Sequence, residues 1–568
     1  MFPFVEETFT AEEQTVLRRY FTNLDRPVFA LVNLPEVVKG ALFARYSRSA
    51  KSLRRLFLDE FVGDLDISGD ATVDATVGLK RAEDLYHRVF VEYGDDSVAQ
   101  LGGVHLACEQ ASNVLTKVLE RGRLMAYLEQ STRYIGYDRR LANGHYRYHR
   151  PPAVLESPLG ARYVGEMDRM FDTYAAVLPR LVTWLTSRHP RRPDDSDFVH
   201  RQAVRAKALD AARGILPAAS LSNVGIYGSG QSYELLLLKM RSHPLPEARQ
   251  YADLMLTELR KVIPSFLQRV DVPERGGEWS AYLAATRRET ARVLDRLAPD
   301  RGGGGTTGDT GRPGEPGAVV RLVDFDPEGE DKVLAAICFP HLDVSEERAL
   351  ELVRRLGADD RAALMAAYVG DRRNRRHRPG RAFERTGYRF ELVTDYGAFR
   401  DLQRHRMLTV EWQPLSVSWG YELPELVTEA GEAAPYAESM ARSAALYETL
   451  AAELPAEATY AVSLAHRIRY ALQMNAREAV HLIELRSGPQ GHPSYRRVAQ
   501  AMHRAIDEVA GHHGIAAAMG FVDHGSHDLE RLESERRAEA RRMAREAGEV
   551  PGEPPGEAGG AGGNAATP

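Results

Sequence analysis

Two stretches of sequence decide how this chain is organised: RGRLMAYLEQSTRY at 121–134 and RHRMLTVEWQPLSVSW at 404–419. Each begins with Arg-x-Arg and continues with two hydrophobic residues. Arg121 and Arg404 lie 283 residues apart, close to half of the 568-residue chain. A spacing this wide predicts that one fold is written twice, because a repeated unit brings its motifs back at the length of that unit.

A second pair of segments supports the duplication. YELLLLKMRSHPLPEARQYADLM (233–255) aligns with REAVHLIELRSGPQGHPSYRRVAQAM (477–502), which places Arg241-Ser242 on Arg486-Ser487. The two anchors are 120 residues apart in the first half and 82 in the second, and loop insertions in the first half explain the excess. Two anchors in the same order favour duplication over chance.

The composition is that of a globular protein of the cytoplasm. Hydrophobic residues make up 43% and charged residues 27%, and the net charge of -6 gives no general reason to expect nucleic acid as a partner. The two cysteines, Cys108 and Cys338, form neither a disulfide framework nor a metal-ligand cluster. The acidic start resembles no signal peptide, and no apolar run is long enough to span a membrane. We therefore expect a cytoplasmic protein with no membrane partner and no metal.

Composition also divides the chain into segments. Residues 298–318 are rich in Gly, Thr, Pro and Asp without apolar periodicity, which predicts a flexible linker. Both flanking halves show apolar residues at three- and four-residue intervals, with a few alternating stretches such as TGYRFELVTDY (386–396). The sequence predicts an α+β fold of two tandem domains, each with a modest sheet and many helices. The predicted segments are domain 1 at 1–297, the linker at 298–318, domain 2 at 319–527, and a charged helix with a disordered tail at 528–568.

Several polar groups are spaced as a ligand site would need. Arg404-His405-Arg406 offers guanidinium groups suited to phosphate, although a solvated basic turn is an equally good interpretation of the triplet alone. Glu129, Ser131 and Arg133 alternate, which aims an acceptor, a hydroxyl and a cation one way if the segment is extended. A mixed-charge surface strand explains that spacing as well. Another group of polar residues has two interpretations. Its members border a cleft on two sides, or they cap a helix and lie at its solvated surface. They are Asn475, Arg477, His481 and Arg486.

These residues resemble the signature of the flavin-dependent thymidylate synthases, R-H-R-x-x-S-x-N-E-x-S-x-R-Y. The first half matches it at Arg121, Arg123, Glu129, Ser131, Arg133 and Tyr134, and departs at Gly122, Ala126 and Leu128. The second half keeps Arg404-His405-Arg406 but continues with Thr409, Glu411 and Trp412. NAREAVHLIELR (475–486) is similar to the family's C-terminal motif, and RPGRAFER (378–385) resembles its H-E-[ST]-P-F-E-H motif, whose place in the first half is taken by YGDDSVAQ (93–100).

The resemblance implies an activity and a set of ligands. Members of this family methylate dUMP to dTMP with methylenetetrahydrofolate as the carbon donor, and FAD that is reduced by NADPH supplies the hydride. It assigns Arg486 to polarising the uracil ring. It implies that FAD is bound by six residues: Arg404, His405, Arg406, Asn475, Arg477 and His481. It assigns the nucleotide to Glu129, Ser131, Arg133 and Arg213, and the second half has Thr459 where the first has Arg213.

The resemblance also implies an assembly. The family forms homotetramers whose sites are built from neighbouring subunits, so a tandem chain is expected to form a homodimer with pseudo-tetrameric symmetry. The first half keeps nucleotide-binding residues and the second keeps flavin-binding ones, which predicts a composite site. Two alternatives stay open: a divergent flavoenzyme that acts on another pyrimidine nucleotide, and a catalytically dead nucleotide-binding paralogue. A nucleic-acid surface on the basic run at 372–381 is the least favoured hypothesis.

Overall fold

The computed structural model describes residues 3–34, 38, 39, 42, 43, 46, 49–60, 103–193, 195–297, 319–527, 529 and 532–546. The linker at 298–318, the segment YGDDSVAQ and the tail from residue 547 lie outside these residues. The described part is 55% helical with two four-stranded antiparallel sheets. This architecture confirms the α+β prediction. Among the described helices, none is both long enough and apolar enough to cross a bilayer.

The strands fall into two sets of four. The first sheet contains β1 (Val28–Leu31), β2 (Gly103–Ser112), β3 (Met125–Glu129) and β4 (Leu221–Ser229), in the order β1-β2-β4-β3. The second contains β5 (Val319–Phe325), β6 (Gly387–Asp395), β7 (Thr409–Trp412) and β8 (Arg467–Asn475), in the order β5-β6-β8-β7. The strand order is the same in both sheets, as a duplicated chain requires.

The helices of the described residues follow these strands. In the first half they are α1 (Ala11–Leu17), α2 (Leu53–Glu60), α3 (Asn113–Leu119), α4 (Pro152–Leu155), α5 (Gly160–Arg188), α6 (Asp197–Ala212), α7 (Gly230–Arg241), α8 (Pro246–Leu259) and α9 (Glu278–Leu297). In the second half they are α10 (Gly329–Cys338), α11 (Glu346–Arg355), α12 (Ala358–Val369), α13 (Tyr396–Leu402), α14 (Glu425–Glu429), α15 (Ala433–Glu453), α16 (Ala476–Ser487), α17 (Pro493–Glu508), α18 (His513–Ala517) and α19 (Leu532–Glu546).

The described residues pack into two compact units that exchange segments of chain. The first unit takes its residues from Met1–Ala176, Ile215–Gly308 and Ala437–Ser463. The second takes them from Val177–Gly214, Asp309–Tyr436 and Leu464–Pro568. Residues 177–214 of the first half thus belong to the second unit, and residues 437–463 of the second half belong to the first. The domain boundaries predicted from sequence describe the repeated sequence and not these compact units, so they stay a prediction.

Four strands end in a residue that caps the next helix. Ser112, Ser229, Asp395 and Asn475 close β2, β4, β6 and β8, and the side chain of each accepts a hydrogen bond from a backbone N–H of the first turn that follows. Such caps satisfy amide groups that have no partner inside the helix. The four caps fix where α3, α7, α13 and α16 begin, and therefore which way their side chains point.

Candidate active site

An aspartate near the end of α13 gathers three guanidinium groups within the second unit. The Asp401 carboxylate lies 3.9 Å from Nη1 of Arg213, 3.8 Å from Nη2 of Arg404 and 3.7 Å from Nη1 of Arg486. We call these four residues the Asp401 cluster. One carboxylate among three guanidinium groups leaves an excess of positive charge, and this excess favours an anionic ligand.

Arg213 comes to this cluster from the first half of the sequence. It follows α6 directly, in the 3-10 turn Arg213–Ile215, and only 4% of its surface is exposed. Its Nη2 is buried and has no hydrogen-bond partner among the described residues. Because a buried donor without a partner is costly, this atom stands to gain from an anionic ligand. The structure therefore brings one predicted nucleotide-binding residue beside the residues predicted for the flavin and for ring activation.

A chain of hydrogen bonds holds Arg486. Its Nε–H donates to Nε2 of His405 over 3.0 Å, and Nδ1 of His405 lies 3.0 Å from Oε1 of Glu478. Since a guanidinium group only donates, Nε2 of His405 is the acceptor and Nδ1 carries the hydrogen that it donates to Glu478. Burial lowers the pKa of His405 well below its usual range and raises the pKa of Glu478 to about 7. His405 is therefore neutral, and it fixes the orientation of Arg486.

His481 completes this group of side chains on α16. Its ring centroid lies 5.3 Å from that of His405, and burial lowers its pKa to about 4. The ligand atoms of His405, Glu478 and His481 lie within 4.8 Å of one another, which is compatible with a metal site. However, Arg378 Nη2 donates to Nε2 of His481 over 3.4 Å, as Arg486 does to His405. Guanidinium groups facing two ligand nitrogens favour an anion over a cation here.

The remaining predicted flavin residues lie at the start of α16 and after α13. Asn475 caps α16 by accepting from the backbone N–H of Glu478 over 2.9 Å, as its capping interpretation predicts. Arg477 donates to the carbonyl oxygen of Pro379 over 3.0 Å, and its Nη1 lies 3.5 Å from Oε1 of Glu384. The Arg406 side chain is exposed. The second half thus supplies all six predicted flavin residues, together with Arg486, to one unit.

The other predicted nucleotide-binding residues lie in the first unit. Glu129 is the last residue of β3 and is buried, 3.2 Å from Nζ of Lys117, which also lies 2.5 Å from Glu120. The Oγ of Ser131 accepts from the backbone N–H of Arg133 over 3.3 Å. Within this unit Glu129 therefore serves a buried ion pair. The structure does not place these three residues in the same unit as Arg213.

The alignment of Arg241 with Arg486 is wrong by one residue. α7 ends at Arg241, whereas α16 ends one residue beyond Arg486, and both helices begin directly after their caps. Counted from the cap, Arg486 matches Met240, and Arg241 points elsewhere, with its Nη2 2.9 Å from Asp253. The first alignment is sound: Arg121 follows Ser112, and Arg404 follows Asp395, by the same number of residues.

Sequence reasoning did not identify three residues of the site: Asp401, Glu478 and Arg378. Asp401 precedes Arg404 by three residues and Glu478 precedes His481 by three, so each pair shares a helical face or turn. That spacing was a usable signal. Arg378 lies in the basic run at 372–381. Because it donates to His481, this run contacts a side chain of the protein itself. In the same run Arg372 forms a buried ion pair with Glu484 at 2.6 Å.

A cavity of about 710 Å³ opens beside Arg213 within the second unit. Its wall also contains Asp395 and Glu422, whose charges are already compensated. Asp395 accepts from the backbone N–H of Ala398 over 2.9 Å and from the hydroxyl of Ser494, and Glu422 lies 3.0 Å from Nε of Arg467. Arg213 is the group of this wall with an unsatisfied buried nitrogen. The cavity has room for a nucleotide, and Arg213 joins it to the Asp401 cluster.

The first unit fills the matching positions with side chains. Glu247 accepts from the Ser112 hydroxyl over 2.6 Å and from the Tyr460 hydroxyl over 2.7 Å. In the second unit Asp395 takes the place of Ser112, and Ser494 takes the place of Glu247. The hydrogen bond is kept, but the cap is now the acid and the helix residue carries the hydroxyl. Tyr460 follows Thr459, as Gly214 follows Arg213, and a Cβ on Gly214 would lie 2.0 Å from the Tyr436 hydroxyl. The glycine leaves room for the Tyr436 hydroxyl in one unit, and a tyrosine takes the matching position in the other.

The chain has similarity to one solved structure, to three relatives and to one family model. A UMP/dUMP methylase from Streptomyces cacaoi, bound with 5-Br dUMP, is 18% identical with a TM-score of 0.29, and the match covers 36% of this chain and 96% of the methylase. UPF0159 proteins of Chlamydia muridarum and Chlamydia pneumoniae are 37% and 38% identical, over 94% of this chain and 99% of each relative. A UPF0159 protein of Thermoplasma acidophilum is 33% identical over 88% of this chain and 98% of its own length. The model of the thymidylate synthase complementing protein family matches residues 45–265 and 321–511, once in each half. The chain therefore belongs to the thymidylate synthase complementing protein family, in a form in which the family sequence occurs twice.

Proposed function

We propose that the chain is a flavin-dependent enzyme that methylates dUMP to dTMP with methylenetetrahydrofolate and NADPH. The Asp401 cluster carries this proposal, because it joins residues of both halves into one cationic site. Arg213 supplies a buried guanidinium for the phosphate, and Arg486 supplies a fixed positive charge for the ring. The family supports the reaction class, and the retained Arg404-His405-Arg406 supports the flavin.

The nucleotide is proposed to lie between Arg213 and Arg486. A phosphate at the Arg213 edge of the cavity would satisfy the buried Nη2, which has no other hydrogen-bond partner among the described residues. Arg486 would then face the uracil ring, where its charge stabilises negative charge that develops on a ring oxygen. The hydrogen bond that Arg486 donates to His405 keeps Arg486 in place, so little reorganisation is needed during the reaction. Glu129, Ser131 and Arg133, which belong to the first unit, remain proposed nucleotide-binding residues.

The residues proposed to hold FAD fit an anionic cofactor. Two neutral imidazoles, His405 and His481, offer polar ring nitrogens without adding charge. Arg404, Arg406 and Arg477 supply guanidinium groups for a pyrophosphate, and Asn475 marks the start of α16. Bound FAD would supply the hydride chemistry, so the chain's own residues need only bind, orient and stabilise charge. This fits a site without a protein nucleophile.

The direct test is an incubation of purified protein with FAD, NADPH, methylenetetrahydrofolate and dUMP, followed by mass spectrometry of the nucleotide. We expect dTMP, and we expect no product when FAD or dUMP is left out. Parallel reactions with UMP and dCMP test the alternative of another pyrimidine substrate, which Leu128, Glu411 and Trp412 favour by replacing signature residues. A protein that binds no FAD at micromolar concentration contradicts every flavoenzyme hypothesis.

The assembly is proposed to be a cytoplasmic homodimer, because one chain supplies two of the four family-like units. Light scattering of the purified chain should give twice 63.2 kDa. A stable monomer at working concentration contradicts this proposal. Neither nucleic acid nor a membrane surface is a proposed partner.

A further inference from the structure

The Arg213 guanidinium lies against a part of α13 that has no side chain. Gly397 is buried in the first turn of α13, and a Cβ built on it would lie 3.0 Å from Nη2 of Arg213 and 3.3 Å from its Cζ. These distances are shorter than ordinary van der Waals contact, so a residue with a Cβ would have to displace the guanidinium. The glycine therefore makes the room that Arg213 occupies.

The backbone of Gly397 is held by neighbouring groups. Its N–H donates to the carbonyl oxygen of Leu464 over 3.2 Å. The next N–H, that of Ala398, donates to Oδ1 of Asp395 over 2.9 Å, and a Cβ on Gly397 would lie 2.8 Å from this oxygen. An added methyl group must therefore displace the cap of α13, the guanidinium of Arg213, or both.

Asp401 lies one turn further along the same side of α13. Residues four apart share a helical face, and the guanidinium of Arg213 spans this pair. Its Nη2 lies beside Gly397, and its Nη1 lies 3.9 Å from the Asp401 carboxylate. Because a glycine offers no side-chain acceptor, Nη2 is left buried without a hydrogen-bond partner among the described residues, at the wall of the cavity.

The first unit lacks this arrangement at the matching positions. Counted from the helix caps, Thr459 takes the place of Arg213, and Val114 and Val118 take the places of the glycine and the aspartate. Two valines offer a guanidinium neither the space nor the negative charge. The glycine, the aspartate and the arginine thus occur together in the unit with the described cavity, and all three are replaced in the other.

We propose that Gly397 is a positioning residue of the nucleotide site, which places Arg213 against α13 and leaves its Nη2 for the phosphate. This inference rests on the proposed role of Arg213 in binding the nucleotide. Gly397 lies outside the motifs that match the family signature, and it acts through Arg213 rather than through contact with the ligand.

A double-mutant cycle of Gly397→Ala and Arg213→Ala tests the proposal, with calorimetric titration of the FAD-loaded protein by dUMP. We expect Gly397→Ala to weaken dUMP binding by about tenfold or more, because a charge-assisted contact with the phosphate is lost. The same change should have no effect on this affinity when residue 213 is already Ala, since the two residues act as one unit.

Steady-state kinetics of dTMP formation provide a second measurement. In Gly397→Ala the KM for dUMP should rise while kcat is retained, because ground-state binding is lost and Arg486 is unchanged. Gly520→Ala is the control, since it adds a methyl group at an exposed glycine with open space around it. It should alter neither the affinity nor the KM.

The backbone of Gly397 itself tolerates the change. Its φ lies outside the left-handed region, and alanine favours a helix more than glycine does, so Gly397→Ala should not weaken α13 by its backbone conformation. Unchanged dUMP affinity in Gly397→Ala, or an equal loss with and without Arg213, overturns the role of Gly397.

A measurement without ligand separates this inference from the proposed function. If the unmodified protein binds no dUMP, the proposed substrate is wrong, and urea unfolding of the four proteins in the cycle still tests the contact with Arg213. A destabilisation by Gly397→Ala that becomes smaller in the Arg213→Ala background supports the contact. An equal effect in both backgrounds contradicts it.

Discussion

At the scale of single residues, the site depends on how neighbours restrain one another. Arg486 has its Nε engaged by His405 and its Nη1 beside Asp401. A guanidinium held on two sides is pre-organised, so its charge is available without the cost of ordering a long side chain. His405 achieves this only while it is neutral, and burial ensures that it stays neutral at physiological pH.

Replacing Arg486 by Ala should slow turnover far more than it weakens binding. We expect a loss of roughly 10²–10³ in rate, because the charge matters most when negative charge develops on the ring. The measurement is NADPH-dependent dTMP formation, together with FAD content and dUMP affinity. Arg241→Ala is the control, since Arg241 pairs with Asp253 in the first unit. Equal damage from both variants would contradict the assignment of Arg486.

Glu478 should make stability depend on pH in a recognisable direction. Its pKa is raised from 4.5 to about 7 by burial, so the folded state keeps a proton that the unfolded chain has released. The stability that this proton provides is fully present below pH 4.5 and is lost as the pH rises through 7. Glu478→Gln should abolish a loss of roughly 1–3 kcal/mol between pH 5 and 8. Urea unfolding at both pH values measures it, and the exposed Glu411→Gln should behave like the unmodified protein.

At the scale of elements, side chains of α19 bind the residues that directly precede α6. Nε and Nη2 of Arg536 lie 2.5 and 3.0 Å from the two oxygens of Asp195, just before α6, and the Ser196 hydroxyl donates to Glu539 over 2.6 Å. Asp195 is buried, and the ion pair lowers its pKa. α6 then runs directly into Arg213. α19, predicted from sequence only as a charged helix, therefore restrains the helix that leads into Arg213.

Arg536→Ala should loosen α6 along its length. Removing the guanidinium leaves the buried Asp195 carboxylate without its strongest partner, at a cost of about 1–3 kcal/mol. Hydrogen–deuterium exchange should be faster for the amides of α6 than in the unmodified protein and unchanged for α16. Arg541→Ala alters an exposed residue of the same helix and should leave α6 as it was. Identical exchange in both variants would show that α19 does not restrain α6.

These elements also show what the sequence can and cannot predict. Arg121 and Arg404 occupy matching positions in the two halves of the structure, because each arginine follows a helix cap by the same number of residues. The same counting corrects Arg241, since a helix turns by about 100° per residue and one missing residue redirects the side chain. Asp401 and Arg213 are far apart in sequence, so their contact follows from tertiary packing, which no local pattern contains. The family signature identified Arg213 but could not identify Asp401 as its neighbour.

At the scale of the whole molecule, the two halves have diverged in opposite ways. Positions that match His405, Glu478 and Asp401, counted from the caps, are Gly122, Ser232 and Val118 in the first half. Tyr460 and Glu247 meanwhile fill the space that stays open beside Gly214 in the second unit. These side chains of the first unit serve internal packing, whereas the matching region of the second unit borders the described cavity.

Each chain should therefore bind one FAD rather than two. The ratio follows from flavin absorbance divided by protein concentration after excess FAD has been removed. Arg404→Ala combined with Arg406→Ala should reduce the ratio to near zero, because each charge-assisted contact contributes about 1.5–3 kcal/mol. The matched double change at Arg121 and Arg123 should leave the ratio unchanged. Two flavins per chain would show that the first half retains a cofactor site.

The exchanged segments tie the folding of this protein to the order in which the ribosome makes it. Residues 177–214 are synthesised before the stretches 309–436 and 464–568 with which they pack exist. Synthesis proceeds at roughly 5–20 residues per second, so the apolar face of α6 waits for tens of seconds without its partners. A gene divided at the linker would yield two polypeptides, neither of which contains a whole unit: the first lacks residues 437–463, and the second lacks Arg213. The two halves can therefore diverge in sequence, while each still depends on the other to complete its unit.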